Sequence, residues 1–264
     1  MLSSTGISTL DCGAVNELSA EIERSRLDAE SFTEADLILT LENLEKYRSV
    51  PETATGPLRH AYRLLGDVRG RRVMDYGCGA GENSIILAAL GAEVTGIDIS
   101  PDLIGLSKKR MALNHVHWRA LVRSAYQTDE PDGSYDALLG IAILHHLDLE
   151  QSAKEVHRIL KRGGIAVFLE PVRDLALLRW LRLAVPVPLD HVAPGEYPLN
   201  SDKILAFSSR FEVVDRKRFS SPWGRLWARL GSRPPTWLRR ADMWLNERLT
   251  WTLAPFEVFR IRKR

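Results

Sequence analysis

Val73-Met74-Asp75-Tyr76-Gly77-Cys78-Gly79-Ala80-Gly81 decides the fold. A short apolar run passes into alternating glycines, and Glu82–Leu90 then has a helical pattern closed by Gly91. Strand, glycine turn and helix in that order open a βαβ unit. Downstream the alternation continues. Strands are expected at Arg72–Tyr76, Glu93–Asp98, Val116–Val122, Tyr135–Gly140 and Ile165–Glu170, separated by helices at Pro101–Leu113 and Glu150–Leu160. Ser100 and Pro101 suit the N-cap and first helical position, and Gly163-Gly164 suits a helix stop. Such alternation predicts an α/β fold with a mostly parallel sheet covered by helices on both faces. The nearly all-apolar strands suit burial on both sides.

Upstream, residues 14–28 and 33–48 have amphipathic helical spacing, with Thr33 and Asp36 as a shortened capping signal. A further helix is expected over 57–65, ending at Gly66. After Pro171 the pattern breaks into a segment with four prolines and the run LALLRWLRLAV. A helix is then expected at Asp202–Ser209, and alternating strands nearer a sheet edge at Phe211–Phe219 and Phe256–Arg262. The chain thus divides into a helical cap (1–66), a core (67–171), an insertion (172–205) and C-terminal strands around a Trp/Arg-rich helical insertion (206–264).

The 264 residues, 45% hydrophobic and 27% charged, exclude wholesale disorder. Two distant cysteines exclude a disulfide scaffold. No secretory signal or membrane-spanning run is visible, so the default expectation is a cytoplasmic protein. The net charge of +2 conceals an uneven distribution. Residues 1–50 carry ten acids and four bases, 51–215 carry 21 and 19, and 216–264 carry three and thirteen with five of the seven tryptophans. The nearly neutral middle argues against an obligate nucleic-acid substrate. The basic, aromatic tail suits either the core of a helical subdomain or peripheral contact with an anionic membrane surface.

Glycines at 77, 79 and 81 allow a tight turn and let a ligand lie against bare backbone. Asp98 ends the second strand, 21 residues after Gly77, where a carboxylate can accept both hydroxyls of a ribose. Glu82 stands where a dinucleotide fingerprint needs its third glycine and would repel a pyrophosphate at the helix start. No Gly-Lys-Ser/Thr follows, which excludes a P-loop. A cationic sulfonium nucleoside fits better.

With these residues in place the chain resembles the class I S-adenosylmethionine-dependent methyltransferases, in their small-molecule branch, over about residues 70–171. DYGCGAGENS is similar to the family's first motif, GIDIS to the segment after it, PDGSYDALLGIAILHHL to the fourth-strand motif and ILKRGGIAVFLEP to the fifth. The resemblance implies a Rossmann-like, seven-stranded sheet with Phe256–Arg262 antiparallel, and S-adenosylmethionine as cofactor. It places Asp75, Gly77, Cys78, Gly79 and Gly81 around the methionine moiety and sugar, Asp98 on the ribose, and Ile99 and Ile141 beside the ligand. Ser124 stands where the family usually carries an Asp bonding the adenine amine, with Ala125 offering backbone contacts. His145, His146 and Glu170 are the candidate acid/base groups, and no metal ligand set is evident. The insertion would act as a lid whose Asp190, His191 and Tyr197 contact the acceptor. The asparagine-proline-proline-aromatic signature of base methylation is absent, Gly140-Ile141-Ala142-Ile143 standing there. The expected reaction is methyl transfer to a small, hydrophobic acceptor such as a quinone, lipid or natural product. RNA methylation, a non-catalytic S-adenosylmethionine-binding regulator and a dehydrogenase stay open as alternatives. Nothing in the sequence sets the oligomeric state.

Overall fold

The computed structural model describes residues 22–48 (apart from 24 and 28), 50, 56–172, 199–219 and 256–264. Seven strands form one sheet: β1 (Arg72–Tyr76), β2 (Glu93–Asp98), β3 (Arg119–Val122), β4 (Tyr135–Ile141), β5 (Leu160–Pro171), β6 (Glu212–Phe219) and β7 (Phe256–Arg262). Their order is β3-β2-β1-β4-β5-β7-β6. The first five pair in parallel, and β7 runs antiparallel between β5 and β6. The described helices that flank it are α1 (Leu41–Arg48), α2 (Pro57–Leu65), α3 (Glu82–Ala89), α4 (Pro101–Asn114), α5 (Leu149–Ile159) and α6 (Ser201–Ser208).

Successive strand residues face opposite sides, and the core divides accordingly. Val73, Ala137, Val167 and Val258 pack with Ala61, Leu65 and Leu87 on one face. Met74, Leu138, Phe168 and Phe259 pack with Val156 and Phe207 on the other. The Phe168 ring lies 5.3 Å from both Phe207, edge-on, and Phe259, stacked. Each such fully buried side chain contributes about 1.5–3 kcal/mol. Helix starts follow local chemistry: Ser100, Asp148 and Asn200 each accept a backbone N–H of their own first turn.

Three expected elements differ. Residues 33–48 are not one helix. A 3-10 turn at Ala35–Leu37 is followed by extended backbone at Ile38, and α1 restarts at Leu41. Side chains of α4 cause the break. Asn114 Oδ1 accepts the Leu39 N–H at 2.7 Å, Asn114 Nδ2 donates to Leu37 O at 2.8 Å, and Arg110 Nη1 donates to Asp36 O at 3.0 Å. The third strand starts at Arg119, because Trp118 lies on α4 with its ring N–H donating to Ser107 Oγ at 3.2 Å. Gly163-Gly164 does not end a helix. Helix α5 stops at Ile159, and the glycines lie in β5, which shifts register between Tyr135↔Leu160 and Ala137↔Ile165. Gly163 takes φ +76°, and a Cβ on Gly164 would sit 2.8 Å from Lys161 O.

The expected boundary at 205 falls inside α6, whose Ile204 and Phe207 belong to the core. Most of the lid and the Trp/Arg-rich segment lie outside the described residues. The ends of the lid meet in a bridge between Val172 and Leu199. Among the described residues no helix is long and apolar enough to cross a membrane.

Candidate active site

β2 lies on one side of β1 and β4 on the other, so the sheet changes winding direction there. Ligands of open α/β sheets bind at the carboxyl ends of strands beside such a switch point. The glycine loop leaves β1 at this place. Gly77, Gly79 and Gly81 all take positive φ, at 77°, 49° and 79°, but their neighbours differ. A Cβ on Gly77 would meet Ile143 Cδ1 at 2.7 Å. One on Gly81 would meet Ser107 Oγ at 2.6 Å and Trp118 Cζ2 at 2.8 Å, so Gly81 serves close packing on α4. One on Gly79 would meet nothing within 4 Å. Of the three, Gly79 is the one whose bare backbone faces open space.

The loop is braced from below. The N–H groups of Gly77 and Cys78 donate to Ile97 O at 3.0 and 2.8 Å. Arg110, 4% exposed, donates from Nε to Ala80 O at 2.8 Å. Asp98 Oδ2 accepts the Gly79 N–H and Oδ1 the Ser100 N–H, both at 2.9 Å. Two fixed donors orient this carboxylate at the tip of β2. Glu82, in the first turn of α3, extends toward Arg110 Nη2 at 3.8 Å with most of its side chain exposed.

Asp75 and Cys78 turn inward. Asp75 is 1% exposed and accepts from Ser84 Oγ at 2.6 Å. Burial pushes its pKa up to about 7, the Ser84 hydrogen bond opposes this, and the charges of Asp98 and Glu82 add to the rise. Cys78 is buried with its Sγ 2.9 Å from where a Gly96 Cβ would stand, and burial raises its thiol pKa. Both side chains support the loop from within.

The other half of the site hangs from β4 and β5. Ala142 follows β4 with φ +54°, a strained setting for a residue with a Cβ. Its N–H donates to Leu169 O at 2.8 Å. The chain then forms a 3-10 turn, Leu144–His146. Glu170, wholly buried near the end of β5, organises that turn. Its Oε1 accepts the N–H groups of Ile143 and Leu144 at 2.9 and 2.8 Å, and Oε2 contacts His145 Nδ1 at 2.9 Å. Where Glu170 is ionised its oxygens only accept, so Nδ1 is then the donor of that contact. The His146 ring lies 4.0 Å from that of His145.

The third wall follows β2 and β3. Ile99 and Ile141 are half-buried, and Ser124 and Ala125 also lie partly exposed. Ser124 Oγ accepts the Tyr126 N–H at 3.2 Å. The carbonyl of Ala125 accepts the buried Tyr76 hydroxyl, so it is already engaged. His115 and His117 are exposed before β3. Asp190, His191 and Tyr197 lie outside the described residues.

Sequence reasoning missed the braces Tyr76, Ser84 and Arg110. Arg110 alone left a trace: it falls on the apolar face of α4, three residues from Ser107 and six from Ile104. Glu257 was also missed. It is wholly buried, pairs across the ladder with Glu170, and is held by Arg216 at 2.6 Å and Arg218 at 2.9 Å.

Residues 74–168 match a family model described as a methyltransferase domain. The chain is 32% identical over 135 residues to a demethylmenaquinone methyltransferase of Tropheryma whipplei (strain Twist), covering 49% of this chain and 55% of that protein. It is 36% identical over 119 residues to a ubiquinone biosynthesis O-methyltransferase of Xanthomonas oryzae pv. oryzae (strain PXO99A), covering 43% and 49%. The chain thus spans about half the length of these curated relatives. Among solved structures, a geranyl diphosphate C-methyltransferase from Streptomyces coelicolor A3(2) superposes with TM-score 0.63 at 15% identity over 94% of this chain and 98% of that one. The [4+2]-cyclase SpnF superposes with TM-score 0.58 at 17% identity over 95% and 94%. These two likenesses are of fold.

Proposed function

From a chain whose residues 74–168 form a methyltransferase domain within a class I methyltransferase fold, we propose S-adenosylmethionine-dependent methyl transfer to a small, hydrophobic acceptor. The observation that carries this reading is the crevice between β1 and β4. There the Gly79–Asp98 pair of the glycine loop and the His145–Glu170 pair stand at the same sheet edge.

The residues present fit that cofactor. Space opens over Gly79, and Asp98 is oriented by two backbone donors. Glu82 at the start of α3 disfavours the pyrophosphate of a dinucleotide. Bound there, S-adenosylmethionine supplies a methyl group already activated on a sulfonium. Asp98 would accept the ribose hydroxyls, and Ile99, Ile141, Ser124 and Ala125 would border the bound molecule. Gly79 would leave room for the methionine moiety, with Asp75, Gly77, Cys78 and Gly81 holding the loop's shape behind it.

For a hydroxyl acceptor, His145 Nε2 would take the hydroxyl proton as the oxygen bonds to the methyl carbon and the carbon–sulfur bond breaks, the neutral thioether leaving. Glu170 fixes the tautomer and supports the charge that develops on the ring. His146, packed on His145, borders the same opening. The two named relatives point to a quinone-class acceptor. On this reading the segment between Val172 and Leu199 closes over the acceptor through Asp190, His191 and Tyr197, and the Trp/Arg-rich segment brings the protein to the membrane where such an acceptor resides.

The test joins calorimetry with S-adenosylmethionine to turnover of labelled methyl into a phenolic quinone precursor. Glu170→Gln should lower kcat by ~10²–10⁴-fold while leaving cofactor affinity unchanged. Tight cofactor binding with no turnover against any acceptor pool would favour a second reading, a site used for something other than methyl transfer.

A further inference from the structure

A second cavity lies at the amino edge of the sheet, the pole opposite the glycine loop. Strand β1, about 16 Å long for five residues, separates the two. The cavity measures about 500 Å³. Among the described residues its walls include Tyr47 and Arg48 from α1, Tyr62 and Arg63 from α2, Arg69 before β1 and Leu90 after α3. Its size falls within the ~300–1,000 Å³ of small-molecule sites, and it shares no lining residue with the candidate active site.

Its chemistry is selective. The Tyr47 and Tyr62 rings lie 4.5 Å apart at 39°. The Tyr62 hydroxyl is committed to Asn83 Oδ1 at 3.1 Å, which leaves the ring as its contribution to the wall. Three arginines face one acid, Asp67, which accepts the backbone N–H of Arg69 at 3.0 Å. Arg63 Nη2 meets His60 Nδ1 at 3.1 Å. Burial and the charge of Arg63 both keep that histidine neutral, its pKa lowered to about 4, so it accepts from Arg63 without offsetting the arginine's charge. Among the described residues the buried Arg63 Nε has no hydrogen-bond partner. A buried donor on a charged group is rarely left unmatched.

We infer that this cavity binds a small planar aromatic anion, its ring against Tyr47 and Tyr62 and its carboxylate on Arg63, with Arg48 and Arg69 adding attraction. The inference stands apart from the methyl-transfer reading, because neither its residues nor its test involves the glycine loop.

Backbone amides report on each pole separately: Gly66 and Gly91 line the cavity, and Gly77 and Gly79 belong to the loop. The 15N-labelled full chain is titrated with naphthalene-2-carboxylate and with the neutral naphthalene-2-carboxamide. Saturable shifts are expected at Gly66 and Gly91 with the loop glycines still, and binding of the carboxamide roughly tenfold weaker or worse. Arg63→Gln should weaken carboxylate binding by about tenfold. Arg48 is 54% exposed and, among the described residues, paired with Glu45, so Arg48→Gln keeps the fold and should weaken binding severalfold even where Arg63→Gln fails to fold. Shifts that are absent or confined to the loop glycines, a carboxamide that binds as tightly, or an unchanged affinity in Arg48→Gln would each overturn the inference.

Discussion

Asp75 and Asp98 stand at the carboxyl ends of neighbouring strands, yet their surroundings give them opposite roles. Asp98 is oriented by two backbone N–H groups at a half-buried edge. Asp98→Ala should weaken S-adenosylmethionine binding by about 1.5–3 kcal/mol, read by calorimetry, and an unchanged affinity would remove it from the ribose. Asp75 is sealed beneath the loop with its pKa raised from 3.8 to about 7. A carboxyl raised on folding binds more protons in the native state, so its contribution to stability is present at low pH and fades between about pH 4 and 7. Asp75→Asn keeps an acceptor for Ser84 and removes that slope. Its melting temperature relative to the parent should therefore rise as pH goes from 5 to 8. A constant difference across that range would show that Asp75 is not held up by burial. Asp98 was readable from its place at the end of a predicted strand. The inward turn of Asp75 was not, because it depends on Ser84 arriving from the next helix.

At the level of elements, the glycine loop divides into packing and clearance. Gly81→Ala places a methyl against Ser107 and Trp118 in a left-handed backbone, and should destabilise the fold well beyond the ~1–2 kcal/mol of the backbone strain alone. Gly79→Ala meets open space, so it should cost only about that strain while impairing cofactor binding. Denaturant unfolding and calorimetry together separate the two; equal losses of stability would contradict the division. Helix α2 was readable to the residue, from Pro57 to the Gly66 that stops it, whereas the Gly163-Gly164 pair signalled a helix end that the structure does not have. Where tertiary partners override local pattern, reading failed. The amphipathic spacing of 33–48 is real, but Asn114 and Arg110 capture its backbone groups and force an extended link.

For the molecule as a whole, the last strand is the keystone of one half of the sheet. β7 sits between β5 and β6, and its Glu257 neutralises the buried Arg218 and the half-buried Arg216. Removing one side of such a cluster leaves charge stranded in the interior. Glu257→Ala should cost about 3–5 kcal/mol, measured as a lowered denaturation midpoint; a change below 1 kcal/mol would mean the arginines find water. The alternating pattern of Phe256–Arg262 announced a strand, but not that its acid would be buried, since that needs Arg216 and Arg218 on a neighbour.

The place of β7 also bears on how the protein is made. β5 is complete once Pro171 has left the ribosome, but the strand that covers its outer edge begins only at Phe256. At ~5–20 residues per second, the delay is on the order of 4–17 s. Throughout that interval the growing polypeptide carries a strand, apolar from Ile165 to Leu169, with one side of its backbone unpaired, a template for another chain. Synthesis speed and chaperone supply, more than the stability of the finished sheet, would then govern how much of this protein reaches its native state.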